Sequence, residues 1–172
     1  MVLKDIVPWG RNRSEYIKMF CLTKAELTSS ILGCGDGPSS FNSESSGNVI
    51  SLDPIYKYSK EEIENRIYET SDIICESLEN NKSDFIWNDF RDVVHLKETR
   101  LKAMNNFLED YESGKSSGRY VEGALPTIPF SENSFNLVLS SHFLFLYSKI
   151  LTLNFHIESI KEMLRVGKTV KI

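Results

Sequence analysis

The sequence lacks the residue patterns from which several common kinds of site are built. Its three cysteines, Cys21, Cys34 and Cys75, are widely spaced and include no C-x-x-C pair. This spacing supports neither a zinc site nor a disulfide framework, and reduced cytosolic thiols are the simplest interpretation. His95 and His156 fall on predicted helices without a second ligand at helical spacing. We therefore expect no metal site.

Positive charge and long apolar runs are also scarce. The formal net charge is −4 and no basic run exceeds two adjacent residues, so nucleic acid is not a favoured partner. Residues 1–5 lack the apolar core of a signal peptide. The most apolar stretch, residues 137–153, is interrupted by serine, histidine, lysine and threonine, which argues against a membrane span. We expect a cytoplasmic protein.

What is present is the composition of one ordinary globular domain spanning residues 1–172. Apolar residues make up 41% of the 172 positions and charged residues 26%, which is enough for a real core. The apolar periodicity predicts strands at 29–33, 48–52, 119–122 and 134–140, and a further strand starting at 169. It predicts two short helices within 12–28, a short one opening at Gly37 and Pro38, and longer ones at 60–79, 88–112 and about 153–164. This alternation is typical of an α/β fold, with a mostly parallel sheet and helices on both faces.

The most informative feature is a set of alternating glycines after the first strand, followed by an acid after the second. Glycine allows the backbone to approach a ligand closely, and Asp53, twenty positions after Gly33, can accept hydrogen bonds from both hydroxyls of a ribose. A dinucleotide fingerprint fails, because the sixth position is Pro38 or Ser40 instead of glycine. No Gly-Lys-Ser/Thr follows, so a P-loop is also excluded. The pattern favours a nucleoside without a phosphate over NAD or FAD.

Four segments share their order and spacing with a known family: ILGCGDGP at 31–38, LDP at 52–54, LPTIPFSENSFNLVL at 125–139 and EMLRVGK at 162–168. They resemble the cofactor-binding motifs of class I S-adenosylmethionine-dependent methyltransferases. Residues 8–11, 33–42 and 141–148 more closely resemble an uncharacterised bacterial branch of these enzymes. The resemblance covers nearly the whole chain. It implies a Rossmann-like sheet and S-adenosylmethionine as cofactor.

The resemblance also assigns the site residues. The glycines beneath the methionine and ribose portions of the cofactor would be Gly33, Gly35 and Gly37. Asp53 would hold the ribose hydroxyls, and Asp36 would partly replace the acid that the family usually carries where this chain has Gly33. The backbone that flanks the adenine would be that of Gly123, Ala124 and Leu125. The residues that face the sulfonium and the acceptor would be Ser140, Ser141 and His142.

Several residues invite a catalytic interpretation, each with a structural alternative. His142 is the best candidate for a general base, since it follows the fourth strand, and the alternative is a histidine that caps a helix or lies in the core. Tyr147 could orient an acceptor or merely pack. Trp9 and Arg11 could close over the cofactor, with Arg11 on its carboxylate, or belong to an arm packed on the domain. Cys34, between two glycines, is more simply a small buried filler than a nucleophile.

The chain differs in length from the members of this family at two places. Residues 54–118, between the second and third strands, exceed an ordinary crossover and form a helical insertion, expected to be a lid or side wall, or else a buttress or dimer surface. The family continues through further C-terminal strands that are missing here, so the strand at 168–172 is expected at an exposed edge.

Two functions stay open at this point. The first is methyl transfer by direct displacement to an acceptor that is a small molecule or otherwise unknown, and the second is a truncated, inactive binding or interaction module. The sequence also leaves open a homodimer formed through the edge strand or the helical insertion.

Overall fold

The structure, a computed structural model, describes residues 7–172, so residues 1–5, which were considered above as a possible signal peptide, lie outside this range. The helices, in chain order, are α1 (Arg13–Met19), α2 (Lys24–Leu27), α3 (Lys60–Asn80), α4 (Val93–Ser116) and α5 (Leu153–Val166). The strands are β1 (Ile31–Cys34), β2 (Val49–Leu52), β3 (Tyr120–Val121), β4 (Phe135–Leu139) and β5 (Gly167–Lys171). Short 3₁₀ turns occupy Pro54–Lys57 and Lys82–Asp84.

The five strands form one sheet in the order β3-β2-β1-β4-β5, and every neighbouring pair is parallel. The predicted α/β class with a parallel sheet is therefore confirmed. The chain runs from β1 outward to β3, and then returns to the other side of β1 for β4 and β5. Strand order thus reverses between β1 and β4, and β5 lies at an edge, as expected.

Helices cover both faces because successive strand residues point to opposite sides. On one face, Leu32 and Val138 pack against Met163 and Val166 at the end of α5. On the other face, strand residues pack with the first two helices and their connections, in a cluster of Ile31, Val49, Leu137, Tyr16, Leu22 and Phe41. Both faces of the central strands are therefore buried, which is why their sequences alternate so little.

Reciprocal hydrogen bonds at Thr23 and Ser59 cap the starts of α2 and α3. Each of these side chains accepts the backbone N–H three residues ahead, and Glu26 and Glu62 accept the N–H of Thr23 and Ser59 in return. Such reciprocal caps satisfy N–H groups that have no partner inside a helix. The helix predicted at 60–79 begins where expected.

The two long helices pack on each other and against β3 through aromatic residues, including Tyr56, Phe107, Tyr111 and Tyr120. The guanidinium of Arg119 donates to both oxygens of Asp110 on α4, at 2.7 and 2.6 Å, and the hydroxyl of Tyr120 donates to the same carboxylate at 2.8 Å. Burial raises the pKa of Asp110, but the hydrogen bonds from Arg119 and Tyr120 outweigh it and hold that pKa below its ordinary value. A strand of two residues is thus anchored largely by side chains.

The prediction of a short helix that begins at Gly37 and Pro38 is wrong, since residues 38–48 form turns. The hydroxyl of Ser39 accepts the N–H of Phe41, and the hydroxyl of Ser45 donates to the Phe41 carbonyl at 2.6 Å. Serine side chains that bond to the nearby backbone in this way compete with helical hydrogen bonds.

The most apolar stretch of the sequence is divided between β4, a run of turns and the start of α5. Across residues 7–172, no helix combines the length and the apolar character needed to cross a bilayer.

Candidate functional site

A cavity of about 1110 Å³ opens at the carboxyl ends of the strands, beside the point where strand order reverses. Segments that follow four of the five strands border it: residues 35–38 after β1, 53–55 after β2, 123–125 after β3 and 141–143 after β4. Ligands of open parallel sheets bind at this kind of crevice. The volume lies just above the roughly 300–1,000 Å³ of ordinary small-molecule sites.

A hydrogen bond joins the glycine loop to the acid after β2. The N–H of Gly37 donates to Asp53 Oδ2 at 2.8 Å, and the N–H of Ile55 donates to Oδ1 at 2.9 Å. Each carboxylate oxygen keeps a further lone pair that can accept a ligand hydroxyl. Burial raises the pKa of Asp53 to about 6, and the nearby Asp36 adds to this, against the effect of the two N–H groups.

A second buried carboxylate explains why position 33 is glycine. Asp36 accepts hydrogen bonds from the hydroxyls of Tyr16 at 2.7 Å and Ser51 at 2.6 Å. Its Oδ2 lies only 2.0 Å from where a Cβ of residue 33 would stand, so any side chain there would collide with it. Burial raises the pKa of Asp36 above its ordinary value. Asp36 thus joins α1, β1 and β2 beneath the cavity floor.

Most of the residues predicted for the site border this cavity: Gly35, Asp36, Gly37, Asp53, Gly123, Ala124, Leu125, Ser141, His142 and Tyr147. Gly33 and Ser140 do not. Gly33 is covered by Asp36, and the hydroxyl of Ser140 is buried with no hydrogen-bond partner among residues 7–172.

His142 stands at the cavity with a left-handed backbone, φ +53°. Its Nδ1 lies 3.2 Å from the hydroxyl of Ser141. Partial burial of the ring, together with the positive charges of Arg11 and Arg100, lowers the pKa of His142 to about 4. The ring is accessible from the open cavity and is uncharged at neutral pH, so it can accept a proton there, as a weak base.

The aromatic run after β4 contributes two residues to the cavity border: Tyr147, which was predicted, and Phe143, which was not. Tyr147 is buried, and its hydroxyl accepts the N–H of Val7 at 3.2 Å, which ties it to the N-terminal segment. The ring of Phe143 lies against Gly35, about 3.0 Å from where a Cβ would stand, and also borders the cavity. The sequence presented Phe143 simply as one of several apolar residues.

The segment ahead of α1 forms another border. The carbonyl of Arg11 accepts hydrogen bonds from the hydroxyl of Ser39 at 2.8 Å and the N–H of Ser40 at 3.0 Å. Trp9 and Arg11 both line the cavity, and Trp9 also packs on the apolar clusters of the long helices. The segment is therefore packed on the domain and faces the site as well.

Helices α3 and α4, with the residues that connect them, make the remaining side, so the region between β2 and β3 does supply a cavity wall. The wall is chiefly apolar: Ile63, Ile74, Leu78, Phe85, Ile86, Trp87, Phe90 and Leu96. Arg100 of α4 also lines it and is only 4% exposed. Sequence reasoning missed Arg100, because a basic residue in a charged helix carries no signal of burial.

Neither a metal site nor a cysteine nucleophile is supported by the residues that the structure describes, 7–172. No cluster of three or more histidine, cysteine or acidic side chains there could hold a metal ion. Cys34 is fully buried, and burial raises the pKa of its thiol far above the ordinary value. A thiol in this state is a poor nucleophile.

Comparison with known proteins places the chain beside one relative. No family model matches it, and no solved structure matches it. It is 37% identical over 174 residues to uncharacterized protein MJ0045 of Methanocaldococcus jannaschii, an alignment that covers 99% of this chain and 78% of the relative. The chain therefore belongs to the same family as MJ0045.

Proposed function

We propose that the protein is an S-adenosylmethionine-dependent methyltransferase that acts on a small-molecule acceptor. The observation that carries the proposal is the 2.8 Å hydrogen bond from Gly37 to Asp53 at the edge of a large open cavity. It brings the backbone of a glycine against a buried carboxylate at the reversal of strand order. A nucleoside laid on that backbone would have its ribose hydroxyls beside the carboxylate.

The architecture supports the same proposal. We take the sheet order β3-β2-β1-β4-β5 to be Rossmann-like, with α3 and α4 as an insertion between its second and third strands. The further C-terminal strands of the methyltransferase family have no counterpart among the five strands of residues 7–172.

The residues around the cavity suit the proposed cofactor. A Cβ at Gly37 would meet nothing within 4 Å, so open space lies directly above this backbone. The backbone of Gly123, Ala124 and Leu125 borders the same cavity, where the adenine would lie. Arg11 supplies a positive charge for the amino-acid carboxylate. The ring of Phe143 would turn away from Gly35 to admit the methionine portion.

The chemistry asked of the protein is modest. The bound cofactor supplies an electrophilic methyl group, and the protein aligns an acceptor with it. Orientation of this kind is worth about 7–11 kcal/mol in favourable systems. His142, uncharged at neutral pH, would take up the proton that an oxygen or nitrogen acceptor releases. Tyr147 would help to position the acceptor beside the apolar residues of the wall formed by α3 and α4.

Isothermal titration calorimetry with S-adenosylmethionine and S-adenosylhomocysteine tests the proposal. We expect binding of both, while NAD and NADP produce no heat. Absence of binding at millimolar S-adenosylhomocysteine would overturn the proposal and favour an inactive binding module. A thermal-shift screen with the same four ligands gives an independent reading, because a ligand that binds the folded state raises its melting temperature.

A further inference from the structure

The apolar wall of the cavity contains one deeply buried charge. Arg100 is 4% exposed, and its guanidinium carbon lies 5.3 Å from the centre of the Phe90 ring. Leu96, one turn earlier on α4, and Ile74 and Leu78 on α3 line the same wall. A charge in such surroundings is costly unless its donors are paired.

The pairing of Arg100 is incomplete. Its Nη1 donates to Glu15 Oε1 at 2.5 Å, and its buried Nε has no hydrogen-bond partner among residues 7–172. The other oxygen of Glu15 accepts the N–H of Asn12, at the start of α1. A guanidinium offers five N–H donors, so a single shared carboxylate leaves most of its capacity unused.

A second guanidinium adds positive charge to the same cavity. Arg11 lines the same cavity, and burial together with the charge of Arg100 lowers the pKa of Arg11 to about 10. Arg11, Arg100 and His142 line the same cavity, and the charges of the two arginines help to lower the pKa of His142. Glu15, the carboxylate that pairs with Arg100, also acts on Arg11, so two guanidinium groups share one carboxylate.

We propose that the methyl acceptor is a small carboxylic acid with an apolar body, whose carboxylate pairs with Arg100 while the body lies against the α3–α4 wall. This inference rests on the proposed function and names its substrate class. A planar carboxylate matches the fork of a guanidinium, and the apolar wall matches a hydrocarbon or aromatic body. Arg11 remains for the amino-acid carboxylate of the cofactor.

The test compares 3-phenylpropanoate with its amide, 3-phenylpropanamide, by calorimetry on the full chain. We expect the acid to bind at least about tenfold more tightly than the amide, since a charged acceptor strengthens the hydrogen bonds of a guanidinium. Arg100→Gln removes this preference. Lys102→Gln, on the exposed side of α4, leaves it unchanged. Equal affinity for acid and amide in the wild type, or a preference that survives Arg100→Gln, would overturn the inference.

A second variant keeps the test decisive if Arg100→Gln does not fold. Glu15→Gln retains the guanidinium but removes the carboxylate that competes for it, so it should tighten the binding of 3-phenylpropanoate by about tenfold. Unchanged or weaker binding of the acid in this variant counts against a carboxylate site at Arg100.

Two further binding measurements distinguish the carboxylate of the acceptor from that of the cofactor. If Arg100 held the amino-acid end of the cofactor, Arg100→Gln would weaken S-adenosylhomocysteine and spare methylthioadenosine, which lacks that end; this result overturns the assignment to the acceptor. Under the proposal, Arg100→Gln spares both, and 3-phenylpropanoate binds in the presence of saturating S-adenosylhomocysteine. Selective binding of the acid without any binding of S-adenosylhomocysteine would keep the carboxylate site and reject the methyltransferase.

Discussion

Replacing Asp53 with asparagine tests the proposed grip on the ribose. The two carboxylate oxygens already accept the N–H groups of Gly37 and Ile55, and each has a lone pair left for a ribose hydroxyl. Asparagine keeps one acceptor oxygen and no charge. Loss of one charge-assisted hydrogen bond costs about 1.5–3 kcal/mol, so we expect S-adenosylhomocysteine to bind about 10- to 150-fold more weakly.

The raised pKa of Asp53 adds a pH dependence of ligand affinity to the same prediction. Burial raises that pKa to about 6, so the carboxylate is ionised above pH 6 and protonated below it. Because the ionised form is the better acceptor, wild-type affinity should fall about tenfold between pH 7 and pH 5. Asp53→Asn has no such group, and its affinity should stay flat over this range.

Calorimetry with S-adenosylhomocysteine at half-unit steps from pH 5 to pH 8 measures both effects. Asp72→Asn, the same substitution at an exposed carboxylate outside the cavity, serves as the control. Far-UV circular dichroism and urea melts establish that each variant is folded. An affinity of Asp53→Asn equal to that of the wild type, or a wild-type affinity that ignores pH, would refute the reasoning.

Three further predictions concern packing and charge. Gly33→Ala should destabilise the fold by about 1–3 kcal/mol in urea, because its Cβ would stand 2.0 Å from the carboxylate of Asp36; a loss below about 0.5 kcal/mol would contradict this. Asp110 has a lowered pKa, so its contribution to stability is present above its unfolded pKa near 3.8 and is lost as pH falls through the folded value. Asp110→Asn should therefore destabilise by about 1–3 kcal/mol at pH 7 and progressively less toward pH 3, and equal losses at both pH values would argue against the charge. The NMR ring signals of His142 should titrate near pH 4, and Arg11→Gln should raise that midpoint; a midpoint near 6.5 in the wild type would exclude the charged surroundings.

The sequence predicted the sheet and the approach of Gly37 to Asp53 because both follow from general geometry. Carboxyl ends of adjacent parallel strands meet at one edge, so residues just after β1 and β2 must come together. The resemblance to the methyltransferase motifs assigned residues 123–125 and 141–142 to the site, and these residues line the cavity. It misplaced Gly33 and Ser140, because one step along a strand decides whether a residue reaches the edge or stays inside the sheet.

What the sequence could not predict depends on contacts between distant segments. Arg100 carries the same local pattern as the solvated basic residues of its helix, and its burial arises only because α1 brings Glu15 against α4. The turns at residues 38–48 replaced a helix for a similar reason: Ser39 also donates to the carbonyl of Arg11, a contact that no local rule anticipates.

Helix α4 carries Arg100 in its first half and Asp110 ten residues later, about 15 Å along the axis. Asp110 accepts a hydrogen bond from Tyr120 of β3, and the chain reaches Gly123 three residues further on. One helix therefore links the buried guanidinium to the strand that leads to residues 123–125 on the cavity border. A change in the position of α4 would shift both Arg100 and that backbone.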